Sequence, residues 1–170
     1  MKLATKFALA IITAIVVFTA QSCGIYSFTG ASYGTAKTVS IDYFPNRSTY
    51  VNPTLSNTIT DALKDKFMSQ TPLTLVKKDG DLHFEGTITG YTITTAGIKS
   101  GETAAYNRLT ITVKVTFTNQ TAPENDFDKS FSRYFDYDSK QSFTSAEGTL
   151  VEEIVELLID DIFNESVVNW

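Results

Sequence analysis

Residues 108–119 read RLTITVKVTFTN, and this stretch decides the fold. Leu109, Ile111, Val113, Val115 and Phe117 alternate with Thr110, Thr112, Lys114, Thr116 and Thr118. Successive side chains of a strand point to opposite faces, so this alternation means one dry face and one wet face. Such a strand belongs to an antiparallel sheet covered on one side and open on the other. Thr suits exposed strands on propensity alone, so the open face by itself assigns no function.

Toward the C-terminus, residues 119–126 read as a turn containing Pro123. A strand follows over Phe127–Asp138, where Phe127, Phe131, Phe135 and Tyr137 share a face with Lys129 and Arg133. That mixture marks an edge strand whose charges discourage sheet-to-sheet pairing. Ser145 or Thr149 starts the last helix, and Thr149 with Glu152 has the spacing of a capping box. Val151, Ile154, Val155, Leu158 and Ile162 form its apolar stripe, widened by Leu150 and Leu157. Glu152, Glu153, Glu156, Asp160 and Asp161 make its solvated face acidic.

Toward the N-terminus, residues 95–105 read as a hairpin loop. Before them a strand runs over Leu82–Thr94. Leu82, Phe84, Gly86, Ile88 and Gly90 lie on one face, and His83, Glu85, Thr87, Thr89 and Tyr91 on the other. Gly86 and Gly90 predict a bend or a close approach by another element. Residues 73–76 make a short strand start, and 77–81 a turn. Asn52 and Pro53 predict a helix start, with Asn as cap and Pro in the first turn. Leu55, Ile59, Ala62, Leu63 and Phe67 then fall on one helical face, and Pro72 stops the helix. Ala36–Phe44 reads as a strand, with Val39, Ile41 and Tyr43 opposite Thr38, Ser40 and Asp42. The order β-α-β-β-β-α predicts an α+β two-layer sandwich: two helices on one face of a four-stranded, mostly antiparallel sheet.

Residues 1–22 stand apart from this domain. Lys2 and Lys6 precede a run over 7–18 that is apolar except for Thr13, too short for the ~20 residues of a spanning helix and suited to an export signal. Ala20, Gln21 and Ser22 then lead to Cys23, a pattern that resembles the bacterial lipobox. Ala20 stands where Leu is usual, and Gln21 where a small residue is usual. An ordinary secretory signal ending near a cysteine is the alternative. Cys23 is the only cysteine of the 170 residues, so no intrachain disulfide forms. Acylation at Cys23 removes a thiol that an oxidising compartment would attack. These features predict a signal peptide over 1–22, an acylated tether over 23–35 and one α+β domain over 36–170. Gly24, rather than Asp, follows the cysteine, which favours the outer membrane facing the periplasm.

The formal net charge is -5, and losing two lysines with residues 1–22 takes it to -7. An acidic chain lacks the concentrated basic surface that phosphate backbones require, which speaks against nucleic acid as a partner. His83 is the sole histidine, so a Ser-His-Asp or Cys-His site depends on it alone. It reads as an exposed strand residue. No His/Cys cluster has metal-ligand spacing, and no glycine-rich phosphate loop follows a strand. The expectation is a non-enzyme without metal or cofactor.

Several segments together resemble one family. They are Cys23-Gly24-Ile25-Tyr26; Asn52-Pro53-Thr54-Leu55-Ser56 running into Ala62-Leu63-Lys64-Asp65-Lys66-Phe67; and Gly80-Asp81-Leu82-His83-Phe84-Glu85-Gly86. Asn107-Arg108-Leu109-Thr110-Ile111 and the closing stretch from Asp161 to Trp170 join them. In this ensemble the chain resembles the LptE family of outer-membrane lipopolysaccharide-assembly lipoproteins. The resemblance implies a plug within the lumen of an LptD-type β-barrel, support of barrel assembly, and help in moving lipopolysaccharide to the outer leaflet. It implies lipopolysaccharide contact through basic residues, for which Arg108 and Lys114 are the candidates. The residues leave two other classes open. One is a periplasm-facing scaffold or peptidoglycan-binding lipoprotein. The other is a lipid carrier with a cavity opened by Gly86 and Gly90.

Overall fold

In the computed structural model, residues 33–50, 52–98 and 105–168 are described, all within one unit, Ala31–Trp170. The expected signal peptide, Cys23 and most of the tether lie outside the described residues. The elements are β1 (Thr38–Ile41), α1 (Leu55–Gln70), β2 (Thr74–Val76), β3 (Leu82–Ile98), β4 (Ala105–Asn119), β5 (Phe127–Asp138) and α2 (Phe143–Val167). A 3-10 turn at Pro123–Asn125 joins β4 to β5.

The sheet has five strands in the order β2-β1-β3-β4-β5. The expectation of four strands is corrected by Thr74–Val76, which form a separate strand because β1 offers a free edge. β1 runs parallel to both β2 and β3, whereas β3-β4 and β4-β5 are antiparallel, so the sheet is mixed. β5 is an edge strand, as its mixed face suggested.

The core follows the periodicity of β4. Leu109, Ile111, Val113, Val115 and Phe117 are all buried beneath the helices. The α1 stripe packs Leu55, Ile59, Leu63 and Phe67, and α2 packs Ile154, Leu158 and Ile162. A chain of rings crosses both layers from Phe163 through Phe67, Phe84 and Phe117 to Phe127, with centroids 4.7–5.2 Å apart. Each such pair adds about 0.5–1.5 kcal/mol beyond its buried area.

α1 starts at Leu55 with Thr54 in the capping position, two residues later than the expected cap Asn52 and first-turn Pro53. The Asn52 side chain still serves the helix start. Its Oδ1 accepts the N–H groups of Thr54 and Leu55 at 3.0 and 3.1 Å. The last helix begins earlier than either expected start, because Ser142 caps it by accepting the Ser145 N–H. Phe143 then reaches the rings of Tyr91 and Tyr137, and Thr149 lies inside the helix. Leu157 is exposed, and Ile159 and Phe163 complete the buried stripe. Tyr43 is exposed too, because β1 ends at Ile41 and Phe44 turns inward instead.

Gly86 and Gly90 of β3 each have a cause. A Cβ on Gly86 would lie 2.0 Å from the buried Phe44 ring, so this ring fills the space a carrier cavity would need. At Gly90 the register with β4 slips between Ile88 and Gly90. One extra residue inverts the side chains that follow, as far as a second slip between Thr95 and Gly97. Tyr91, expected on the wet face, is therefore buried opposite Ile111, and Gly90 sits opposite Thr112.

Candidate functional site

The face of the sheet away from the helices is built from the wet halves of β3, β4 and β5. Thr92 and Thr94 of β3, Lys114 and Thr118 of β4, and Ser130 and Ser132 of β5 are all exposed on it. Thr112 and Ser132 link their hydroxyls across the strands at 3.0 Å. The result is a broad hydroxyl surface with few apolar groups, apart from the half-exposed Tyr134.

Arg108 and Lys114 both stand on this face. Lys114 lies six positions beyond Arg108 along β4, which is ~20 Å at the usual rise per residue. The structure does not bring them together. Arg108 is held bidentately by Asp136, Nε to Oδ1 at 2.7 Å and Nη2 to Oδ2 at 2.9 Å. Its guanidinium also lies 3.6 Å from the Tyr134 ring centre. The Asp136 carboxylate, accepting both hydrogen bonds, raises the Arg108 pKa above its ordinary value. Lys114 pairs with Asp128 at 3.0 Å, and both side chains are more than half exposed. Lys114 is thus the more easily redirected of the two, because a single exposed ammonium contact is weak and has no fixed fork geometry.

Lys129 and Arg133 do something the sequence did not show. They point to the helix side of β5, where Lys129 pairs with Glu165 and Arg133 holds Asp161 bidentately at 2.5 and 2.6 Å. On the other side of α2, Asp160 pairs with Lys66 of α1 at 2.7 Å. Part of the acidic face expected to be only solvated therefore ties α2 to β5 and α1. The long period of α2 brings Asp161 and Glu165, four residues apart, over one strand.

Two polar clusters depend on tertiary pairing. Buried Tyr91 donates its hydroxyl to Glu147 Oε1 at 2.6 Å, Asn52 Nδ2 donates to the same oxygen at 2.8 Å, and Tyr50 stacks on the Tyr91 ring. Burial first, and the Glu147 carboxylate second, push the Tyr91 phenol well above its usual pKa. The phenol is a fixed hydrogen-bond donor that ties β3 to α2, and Asn52 ties the start of α1 to the same carboxylate. The second cluster gathers Asp42, His83 and Glu85, whose ligand atoms lie within 4.8 Å of one another. His83 is half-buried rather than exposed, with Nδ1 2.7 Å from Ser40 Oγ and Nε2 3.5 Å from Glu85 Oε1. Sequence reasoning missed this cluster because Asp42, just past the end of β1, and His83 of β3 lie far apart in the sequence. Only the parallel pairing of Ser40 with His83 joins them.

A shallow groove of about 540 Å³ runs between α1 and α2, floored by Ala62, Val155 and Ile159 and rimmed by Asp65, Lys66, Glu152, Glu156 and Asp160. It opens on the outer surface, not between helices and sheet. Among the described residues no helix is long and apolar enough to cross a membrane.

Solved structures of bacterial lipoproteins share this two-layer α+β fold. A minor lipoprotein of Acinetobacter baumannii superposes with a TM-score of 0.50 at 12% identity, over 76% of this chain and 91% of that one. A putative neuraminyllactose-binding hemagglutinin homologue from Helicobacter pylori gives 0.51 at 9% identity, over 84% and 88%. An uncharacterized lipoprotein B from Nitrosomonas europaea gives 0.50 at 10% identity, over 84% and 88%. At these identities the likeness is one of fold. No curated protein sequence matches the chain significantly. The family model described as lipopolysaccharide-assembly, LptE, matches residues 36–166, and the chain belongs to the LptE family.

Proposed function

We propose that this protein is an outer-membrane lipoprotein, anchored through Cys23, that plugs and helps assemble an LptD-type β-barrel and so supports lipopolysaccharide transport to the outer leaflet. The family match over 36–166 carries the reading. Its physical support is the bare sheet face. A domain inside a water-filled barrel must meet a polar wall, and a surface of Thr and Ser hydroxyls meets such a wall without burying unpaired charge. The residues before 36, with an acyl chain on Cys23, supply the tether.

Within this reading, Arg108 and Lys114 contact lipopolysaccharide phosphates. A phosphate must displace Asp128 from Lys114, or Asp136 from a bidentate and ring-stacked Arg108. Lys114 is therefore the first contact, and Arg108 mainly a fixed positive group farther along the same strand.

The test is crosslinking in intact cells, followed by mild detergent extraction and recovery of a tagged copy. A large LptD-type barrel in roughly equal amount is the expected result. Recovery of peptidoglycan fragments or soluble envelope proteins without such a barrel overturns the plug reading and favours a scaffold. Loss of label at Cys23 in a metabolic acyl-labelling experiment on the Cys23→Ser variant checks the anchor separately.

A further inference from the structure

We propose that Asp42, His83 and Glu85 form a binding site for one divalent transition-metal ion, with Zn²⁺ as the best-suited ion. The inference does not rest on the barrel reading. It starts from convergence: Asp42 follows the end of β1, His83 and Glu85 come from β3, and their ligand atoms gather within 4.8 Å. One imidazole with two carboxylates is a borderline N/O donor set, which suits zinc better than the all-oxygen shells of calcium or magnesium. The 3.5 Å between His83 Nε2 and Glu85 Oε1 is close to the ~3.4 Å edge of a tetrahedral zinc shell with ordinary bond lengths. The remaining separations close with side-chain rotation at exposed Glu85 and half-buried Asp42.

Two further observations point to a cation. Among the described residues, the Asp42 carboxylate has no hydrogen bond and no ion pair, and no Lys or Arg pairs with Glu85. Two carboxylates beside one imidazole repel each other unless a positive charge joins them. In addition, His83 is oriented from behind. Ser40, fully buried, places Oγ 2.7 Å from Nδ1 and is itself fixed by the Gly80 N–H at 3.0 Å. In the metal-binding tautomer Nδ1–H donates to Ser40 Oγ, which leaves the Nε2 lone pair aimed at the carboxylates; metal-ligating histidines are held by such a partner. Gly80 is needed there, since a Cβ would lie 2.5 Å from the Ser40 nitrogen. Three protein ligands leave a fourth position for water or an oxygen donor on the solvent side.

The experiment uses the full chain in detergent, without a histidine tag, stripped with chelator and carrying Cys23→Ser so that no thiol competes. Zn²⁺ is titrated against a chromophoric chelator. The expected result is one ion per chain, with affinity reduced at least about tenfold in His83→Gln and in Asp42→Asn. Because His83 is the sole histidine, its acylation by diethyl pyrocarbonate reads this site alone, and Zn²⁺ is expected to protect it. Circular dichroism of each variant reports folding. Zinc uptake that is absent, or unchanged in well-folded His83→Gln and Asp42→Asn, overturns the site, as does diethyl pyrocarbonate modification that proceeds equally with and without the ion.

Discussion

The two faces of the sheet are cut from the same strands, yet they have opposite chemistry. On β4, Phe117 is buried in a line of tilted, contacting rings, while Thr116, its neighbour, stands on the bare face. The arginines repeat the contrast. Arg133 reaches from β5 to the helix side and grips Asp161, so its charge fastens two layers. Arg108 on the open side grips Asp136 of the neighbouring strand, so its charge stays within one layer. Stability is concentrated on the covered face, which leaves the other free to present a polar surface.

The sharpest way to break this comparison is to truncate neighbours. Phe117→Ala is expected to cost about 3–5 kcal/mol of unfolding free energy, as a buried aromatic leaves a cavity. Thr116→Ala is expected to cost about 0.5 kcal/mol or less. Urea denaturation of both variants checks the pair, and comparable losses would mean that the open face is packed against something. Gly86→Ala comes next. Its Cβ must displace the Phe44 ring, and overpacking of this kind costs about 1–3 kcal/mol in the same measurement. Tyr91→Phe should lose about 1–2 kcal/mol, because the Glu147 oxygen keeps Asn52 as a donor. A neutral effect would detach that network from the core.

Smaller effects are read through pH and salt. Asp81 accepts the backbone N–H groups of Lys37 and Thr38, which lowers its pKa below the ordinary 3.8. A carboxylate depressed in the folded state stabilises above its unfolded value and loses that contribution as pH falls through the folded one. Stability should therefore decline below about pH 3.8 with a component that Asp81→Asn removes. Acid titration of both proteins, followed by circular dichroism, tests this. Arg133→Gln should give the smallest change, and one that shrinks further in high salt, since its ion pair is largely exposed.

Much of this architecture was legible because period-two alternation survives wherever a strand is regular. β4 and β5 declared their faces, and Asn52 declared its helix. Reading failed where one residue changed the phase. Gly90 signals a bend or a close approach but not a change of phase, so alternation alone puts Tyr91 on the wrong side. It failed again for residues 73–76, since a three-residue strand carries too little pattern and forms only because β1 is there to pair with. Arg108 and Lys114 could be placed on the open face from their parity alone. That each already holds a carboxylate could not, because Asp136 and Asp128 reach them only through the β4–β5 register.

The sequence by itself determined the layer count, the covered and open sides of β4, and the resemblance that the family match over 36–166 agrees with. These depend on local periodicity and on the identity of short segments. Tertiary structure alone decided that β1 is inserted in parallel between β2 and β3. It also decided that Phe44 closes over Gly86, and that Asp42 meets His83 and Glu85. Those outcomes join residues some 40 positions apart through pairing register and close packing, for which no local pattern carries a signal.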